Sequence, residues 1–494
     1  MKKIRYNRFL TGAVIAASIF CGGCGKKIDS GRETETYSAE NTEAVTEPES
    51  ESVMESEAST EESAELETEL ETSLEQEIET GKESETEEIS YQIIENIILA
   101  TDIHYFDPSL TDNGPRFQEM EQYGDGKIVT YIDQITDAFL EEVIQLRPNA
   151  LILSGDLTLE GEKKSHEGLA EKLYRVEDAG IPVLVIPGNH DINNRKAACY
   201  EGTERLPAEY ITPEEFRIIY RDFGYDEAIS EDERTLSYIY ELDEGLRLLM
   251  LDTCQYQPYG KVGGAILSDT YDWIEEELSY AWDDGVEIIP VAHHNLLEES
   301  KIYVDDCTIE HGEQLVDILE EWDVPLFLSG HLHVQHTLRS EDNRGVWEVV
   351  TSSLATPVCQ YGVLTYRDDG SFEYGTWSVD IEGWAKDHGR REKDLLEFKK
   401  FREPFLRRVF YNQSMAALNK IPDISQEQKE KMSHFYSKLN YYYYQGTAYQ
   451  IRTEVLADPA YKMWMNEGSF SILGEYVGYI VSDAVKDYNR LIVD

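Results

Sequence analysis

From residue 91 onward the chain alternates short apolar, β-branched runs with stretches of helical periodicity. The runs are Ile97–Ala100, Ala150–Leu153, Val183–Ile186, Leu246–Leu251, Val286–Val291 and Pro325–Leu328. Each is four to six residues long and carries almost no polar alternation, the mark of a strand buried on both faces. Between them, Lys127–Leu146, Ser165–Ala179, Ser268–Trp282 and Glu310–Trp322 repeat apolar residues every three or four positions and predict amphipathic helices. Strands alternating with helices argue an α/β core. No repeat with a period of 20–50 residues is evident. Beyond about residue 385 the pattern changes. Lys393–Phe401, Gln426–Tyr444 and Phe470–Leu491 read as helices in a region rich in Tyr and Phe, with Tyr441 to Tyr444 an unbroken run. These aromatics are expected to pack a helical bundle and its contact with the α/β core; the alternative is that some overhang a cleft and stack on a base or sugar.

The residues that carry chemistry sit just past these runs. The first run continues into Asp102 and His104, the second into Gly155-Asp156, and the third into Gly188-Asn189-His190-Asp191. His293 and His294 come after the fifth, and Gly330-His331-Leu332-His333 after the sixth. In open α/β sheets the carboxyl ends of the strands form the ligand crevice, so these distant residues are expected to converge. Carboxylate, imidazole and amide oxygen together suit Mn, Fe or Zn. The pairs Asp102/His104 and His331/His333 are spaced i, i+2, which in extended backbone points both members to one side. The glycines at 155, 188 and 330 allow tight turns where the chain leaves the strand. A single His at a strand end is more often structural than a ligand; five strand ends each bearing a ligand-type residue are not explained that way.

The order D-x-H, G-D, G-N-H-[D/E], H, G-H-x-H resembles the calcineurin-like metallophosphoesterases, and all five motifs lie within residues 102–333. The stretch Gly155 to Gly161 looks like the class III cyclic-nucleotide phosphodiesterase branch. Purple acid phosphatases place Tyr where this chain has Leu159. The resemblance implies an α/β fold, a β-sandwich of two mixed sheets flanked by helices (α/β/β/α), here over residues 91–384, followed by a helical C-terminal domain over 385–494. It implies two divalent or trivalent metal ions, Mn or Fe with Zn as a further option. Asp102, His104 and His333 would hold one metal, Asn189, His293 and His331 the other, and Asp156 would bridge them. His293 matches better than its neighbour His294, although Asn295 stands where the family has Pro, which leaves both open. His190 matches the family's non-ligand His beside the leaving group, with Asp191 as its orienting carboxylate. The implied reaction is hydrolysis of a small phosphate ester by a metal-bridging hydroxide, with cyclic nucleotides or other phosphodiesters ahead of phosphomonoesters or nucleotides. A surface binding module with a relict metal site is the reading from another class. His166, His311, His336, His388 and His434 match no motif and are expected to be surface or core residues.

Charge and the N-terminus set the surroundings. The formal net charge is −54. Setting aside +5 for residues 1–30 and −20 for residues 31–90 leaves −39 for the rest. Such a body would repel polyphosphate, so a nucleic-acid polymer is excluded as partner, while a local metal charge could still admit a small phosphate ester. Residues 1–24 join a basic start (Lys2, Lys3, Arg5, Arg8) to an apolar run from Phe9 to Phe20, too short to span a bilayer. The Gly22-Gly23-Cys24 ending resembles the lipobox of bacterial lipoproteins, which implies a lipid anchor at Cys24 and a place outside the cytoplasm, with Cys21, ordinary cleavage or an uncleaved anchor as alternatives. Residues 25–90 are Glu, Ser and Thr with hardly an aromatic, the composition of a disordered tether, or of a segment that captures cations or a basic partner. Cys199, Cys254, Cys307 and Cys359 have no CxxC spacing and are expected to be single buried thiols. No protein partner can be inferred.

Overall fold

The computed structural model describes residues 92–494, except residues 301, 303, 342–344, 467, 469 and 470. The expected signal peptide, the Cys24 anchor and the acidic segment lie outside the described residues. All six apolar runs are strands: β1 (Ile93–Ala100), β2 (Ala150–Ser154), β3 (Val183–Ile186), β8 (Leu246–Leu251), β9 (Glu287–Ala292) and β10 (Leu326–Ser329). They divide between two sheets. In the first, β13 (Gln360–Arg367), β14 (Phe372–Ser378) and β15 (Arg490–Val493) are antiparallel additions to a parallel β1-β2-β3 core, in the order β15-β14-β13-β1-β2-β3. The second gains β6 (Ser230–Glu231), β7 (Tyr238–Asp243), β11 (His336–Arg339) and β12 (Trp347–Val350), in the order β11-β12-β10-β9-β8-β7-β6. A separate hairpin joins β4 (Ala198–Glu201) and β5 (Glu204–Pro207).

Period-2 alternation places the second sheet between two layers. Leu248, Met250, Ile289, Val291, Leu326 and Leu328 share a core with the strands of the first sheet. The intervening Leu249, Leu251, Ile288 and Phe327 pack instead on Ile274, Leu278, Leu315 and Leu319, from helices Ser268–Asp284 and Gly312–Glu321. Helices Ile132–Leu146 and Lys163–Glu177 contribute Ile135, Phe139, Leu169 and Leu173 to the first core. The result is two mixed sheets flanked by helices. No helix among the described residues is long and apolar enough to cross a membrane.

Three helical readings need correction, one being Lys393–Phe401, which is two helices, Lys393–Leu396 and Phe398–Leu418, parted at Glu397. Lys127 and Ile128, placed in a helix by the sequence, lie outside the observed one, which starts at Ile132 after a short turn at Val129–Tyr131, because Gly126 at φ +102° redirects the chain before it. The predicted helix Phe470–Leu491 is a helix over Ile472–Asp483 and then, from Arg490, the edge strand β15. Leu491 and Val493 point into the first core while Arg490 and Ile492 face out, a strand alternation that a helix reading passes over.

The C-terminal aromatics pack a second core. Tyr441, Tyr443 and Tyr444 are buried there with Phe410, Tyr436, Trp464 and Tyr476, and the Phe410 and Tyr444 rings lie 4.9 Å apart. Buried in this core, these seven rings are not available to stack on a substrate. Helix Gln426–Tyr444 opens with a capping box between Ser425 and Gln428. The four body cysteines form no disulfide; Cys307 and Cys359 are buried, whereas Cys199 and Cys254 are only half-buried.

Candidate active site

The strand-end residues converge where the two sheets share an end, the first sheet supplying Asp102, His104, Asp156, Asn189 and His190, the second His293, His331 and His333. Asp102, His104, Asp156, His331 and His333 all adopt positive φ, between 47° and 69°. Non-glycine residues rarely do so, and their clustering marks a site whose backbone is held against its local preference. Close packing sets two of the glycines. A Cβ on Gly188 would lie 2.0 Å from the Asp156 amide nitrogen, and one on Gly330 would lie 2.0 Å from Thr101 Oγ1. These two positions need glycine for room, whereas the expected turn conformation is seen at Gly155, φ +93°.

Two donor clusters result. In one, Asp102, His104, Asp156 and His333 are all buried. His104 Nε2 lies 3.1 Å from His333 Nε2 and 3.7 Å from Asp156 Oδ2, and His333 Nε2 lies 3.2 Å from Asp102 Oδ1. In the other, His293 Nε2 lies 3.1 Å from His331 Nδ1, 3.2 Å from Asn189 Oδ1 and 3.5 Å from Asp156 Oδ1. The Asp156 carboxylate thus faces both clusters, one oxygen to each.

Hydrogen bonds behind the rings fix their tautomers. His293 Nδ1–H donates to the Ser154 carbonyl at 2.9 Å, and His331 Nε2–H donates to the Asp306 carbonyl at 2.9 Å. The opposite nitrogen of each ring is left as a lone pair aimed inward. Asp102 Oδ1 is buried and accepts no hydrogen bond. Lone pairs about 3 Å apart repel unless a cation lies between them, and that is the spacing of donors each ~2.1 Å from one ion. The donor set therefore has the form of a two-metal site. His294 approaches His293 and His331 closely, but Thr253 Oγ1 occupies its Nδ1 at 2.8 Å and the Val262 carbonyl its Nε2 at 2.8 Å. Both nitrogens being taken, His294 has none to offer. Asn295 Nδ2 donates to Ser329 Oγ and to the Gly330 carbonyl, each at 3.1 Å, bracing the turn that carries His331.

His190 stands beside Asp156. Its Nδ1–H donates to the Leu159 carbonyl at 2.7 Å, and its Nε2 lies 3.9 Å from Asp156 Oδ2. Burial works to lower its pKa, but Asp156 and Glu160 raise it. Burial alone would raise the Asp156 carboxyl, yet His190 and His293 hold it well below the usual carboxylate range. Asp191 does not orient His190, contrary to expectation. Its carboxylate accepts from the backbone N–H groups of Gly188, Leu157 and Thr158 and from Thr158 Oγ1, at 2.8–3.0 Å. Four donors draw it away from the ring, and it ties the 188–191 loop to the 156–158 loop instead. Glu160 takes the place beside the ring, its Oε2 3.5 Å from His190 Nδ1. The histidines outside the motifs are surface or core residues as expected, with His166 buried and His336 buried between Glu299 and Asp483. A cavity of about 340 Å³ opens off the centre, lined by Asn189, His190, Arg195, Lys196, Tyr259 and Lys261. Asp125 and Lys127, a buried ion pair near this centre, carry no motif in the sequence.

Residues 96–335 match the family described as Calcineurin-like phosphoesterase. With the two-sheet fold and the two donor clusters, this stretch, a little under half of the chain, has the fold of the calcineurin-like metallophosphoesterases. Residues 380–487 match the family described as the C-terminal domain of cyclic nucleotide phosphodiesterase. Among curated relatives, a protein of Synechococcus named "Probable cyclic nucleotide phosphodiesterase" is 27% identical over 38% of this chain and 59% of its own length. One of the same name from Psychrobacter arcticus is 26% identical over 46% of this chain and 70% of its own. The matched stretch thus spans less than two thirds of the first of them. A solved dimetal phosphatase from Danio rerio is 10% identical with a TM-score of 0.42, covering 58% of this chain and 97% of its own.

Proposed function

We propose that this chain hydrolyses small phosphodiesters at a dimetal centre, with cyclic nucleotides as the favoured substrate class. The observation that carries the reading is the Asp156 carboxylate, shared between two clusters of inward-facing donors. Asp102, His104 and His333 would hold one ion, Asn189, His293 and His331 the other, with Asp156 common to both. When bound, two such ions supply Lewis-acid charge for phosphoryl oxygens and lower the pKa of water toward neutrality. The chain's own residues do the rest. His190, fixed through Nδ1 on the Leu159 carbonyl, presents Nε2 toward the centre, where it can hand a proton to a departing alkoxide. Asp191 locks the two loops that position Asp156 and His190. Arg195, Lys196 and Lys261 give the adjoining cavity a positive lining in an acidic body, and Tyr259 offers an exposed ring to a base. The names of the relatives support the cyclic-nucleotide class. The same three cations would suit a phosphomonoester dianion, which keeps the monoesterase as second reading.

The test is metal-stripped full-length protein reloaded separately with Mn, Fe or Zn. It is assayed on bis-p-nitrophenyl phosphate, p-nitrophenyl phosphate and 3′,5′- and 2′,3′-cyclic nucleotides. Metal-dependent turnover with diesters ahead of the monoester is expected. A faster monoester moves the protein to the second reading, and silence on every ester with metal bound returns it to a binding module. We place the protein outside the cytoplasm, anchored by lipid at Cys24; radiolabelled palmitate incorporation that survives Cys24→Ser would refute that anchor.

A further inference from the structure

In a chain this acidic, a buried lysine calls for an explanation. Lys127 is 5% exposed and its Nζ pairs with Asp125 Oδ2 at 2.9 Å. Its charge works to lower the pKa of His104 and of His190, while Asp156 and Glu160 help to raise its own. Asp125 in turn feels His333 and His190. The ammonium group is thus within electrostatic reach of the His104–His333 cluster, and the residue after it, Ile128, is linked to Asp102 through Ala355, whose carbonyl accepts from the Ile128 N–H at 2.8 Å and whose N–H donates to the Asp102 carbonyl at 3.3 Å. An ammonium has three N–H donors, and Asp125 takes one direction only. Burying such a cation is costly unless it is paired, so Asp125 balances it in the resting protein and leaves donors for an incoming anion.

The loop that carries this pair is held from two sides. On one, the Ile128 N–H donates to the Ala355 carbonyl at 2.8 Å, in the segment whose Ser353 Oγ donates to the Asp102 carbonyl at 2.8 Å. On the other lies helix Phe398–Leu418. Its Gln413 Nε2 donates to the Gly124 carbonyl at 2.8 Å and its Asn412 Nδ2 to the Gln122 carbonyl at 3.4 Å. Leu406 Cδ1 would lie 2.6 Å from a Cβ on Gly126, so the loop meets the helix backbone-first. Nothing in the motifs of residues 102–333 requires this helix, yet it sets the height of Lys127.

We propose that Lys127 positions the substrate's phosphoryl group and that helix Phe398–Leu418 holds it in place to do so. This rests on the phosphoester reading of the centre, but it is tested by anion binding as well as by turnover. Inorganic phosphate is titrated into metal-loaded full-length protein by calorimetry, with metal content measured on each variant, and KM and kcat are taken for bis-p-nitrophenyl phosphate. Lys127→Met is expected to keep its metals, to bind phosphate about tenfold more weakly and to raise KM by a similar factor with a smaller change in kcat. Lys127→Arg should recover most of the affinity, and Gln413→Ala should weaken phosphate about threefold without touching the centre. Wild-type phosphate affinity in Lys127→Met overturns the proposal, as does loss of metal together with phosphate. If Lys127→Met does not fold, Gln413→Ala and Leu406→Ala decide, and unchanged phosphate affinity in both overturns it. Metal-loaded wild type that binds phosphate but cleaves no ester would end the hydrolase reading while leaving the Lys127 comparison intact.

Discussion

The strand-end loops and the C-terminal helices solve opposite problems. The loops bring acids, imidazoles and an amide into one buried volume, on backbone held at positive φ in five places. They contain little that stabilises a fold. The helices bury Trp464, Tyr436, Phe410 and Tyr476 in an aromatic core, with Trp464 Nε1–H satisfied by the Met432 carbonyl at 2.9 Å. They hold none of the centre's donors, yet they touch its loops. The Gln335 N–H, just past His333, donates to the Tyr444 carbonyl at 3.1 Å, and Gln335 Nε2 donates to the Tyr488 carbonyl at 3.1 Å. Strain in one region is supported by packing in the other.

That division can be broken at several points, and the largest effect should come from ending the chain at residue 384. This removes β15 from the first sheet and takes Leu395, Phe398, Phe405 and Val409 from its core. At about 1.5–3 kcal/mol for each large apolar side chain, the loss rivals the ~5–15 kcal/mol that holds a domain folded. The truncated protein is expected to aggregate; a soluble monomer with native circular dichroism and a cooperative melt would show that the two regions are independent. Next comes Asp156→Asn, which should cut kcat on the order of 10³-fold, about 4 kcal/mol of barrier, while the melting temperature stays near wild type. A folded variant with near-normal turnover would refute the shared-carboxylate centre.

His336→Ala attacks the seam. His336 is buried with Glu299 and Asp483, and its removal leaves Glu299 uncompensated next to Glu348. Breaking such a group should cost about 3 kcal/mol in denaturant unfolding. Burial would lower the His336 pKa, but Glu299 and Asp483 raise it to about 10. The contribution is therefore complete below about pH 6.5 and lost as the pH climbs toward 10. In the variant that slope should vanish from melts run across this range. Thr158→Val should have the smallest effect. It removes one hydroxyl donor from Asp191, which keeps three backbone donors, and the acceptor of the Gly161 N–H, and about 1–2 kcal/mol is expected by chemical denaturation. A loss of several kcal/mol would mean that the loop lock depends on the side chain more than on the backbone.

The parts legible in sequence share a physical reason. Strands buried on both faces are continuous apolar runs, and ligand-type residues at their ends stand out against them, so six strands and the converging set from Asp102 to His333 can be named. The features that escape such a reading depend on partners remote in sequence. β13, for instance, reads Gln360-Tyr-Gly-Val-Leu-Thr-Tyr-Arg367, too mixed to announce a central strand, and becomes one because β1 and β14 flank it. Asp191 reads as the partner of its sequence neighbour, but backbone donors from two loops have the stronger claim. Lys127 reads as part of a helix whose true start lies five residues later. The choice between His293 and His294 turns on Thr253 and Val262, about 30–40 residues away.

The position of β1 sets when the centre can exist at all. β1 carries Asp102 and His104, and its neighbour β13 is so far along the chain that the side-chain bond between Asn96 and Thr365 spans 269 residues. Closing a loop of that length costs about 5 kcal/mol of chain entropy before any contact offsets it. Contacts this distant slow folding, so the first cluster should assemble late, after the locally paired hairpins. Metal capture would then come at the close of the folding reaction, as its last step rather than as its nucleus.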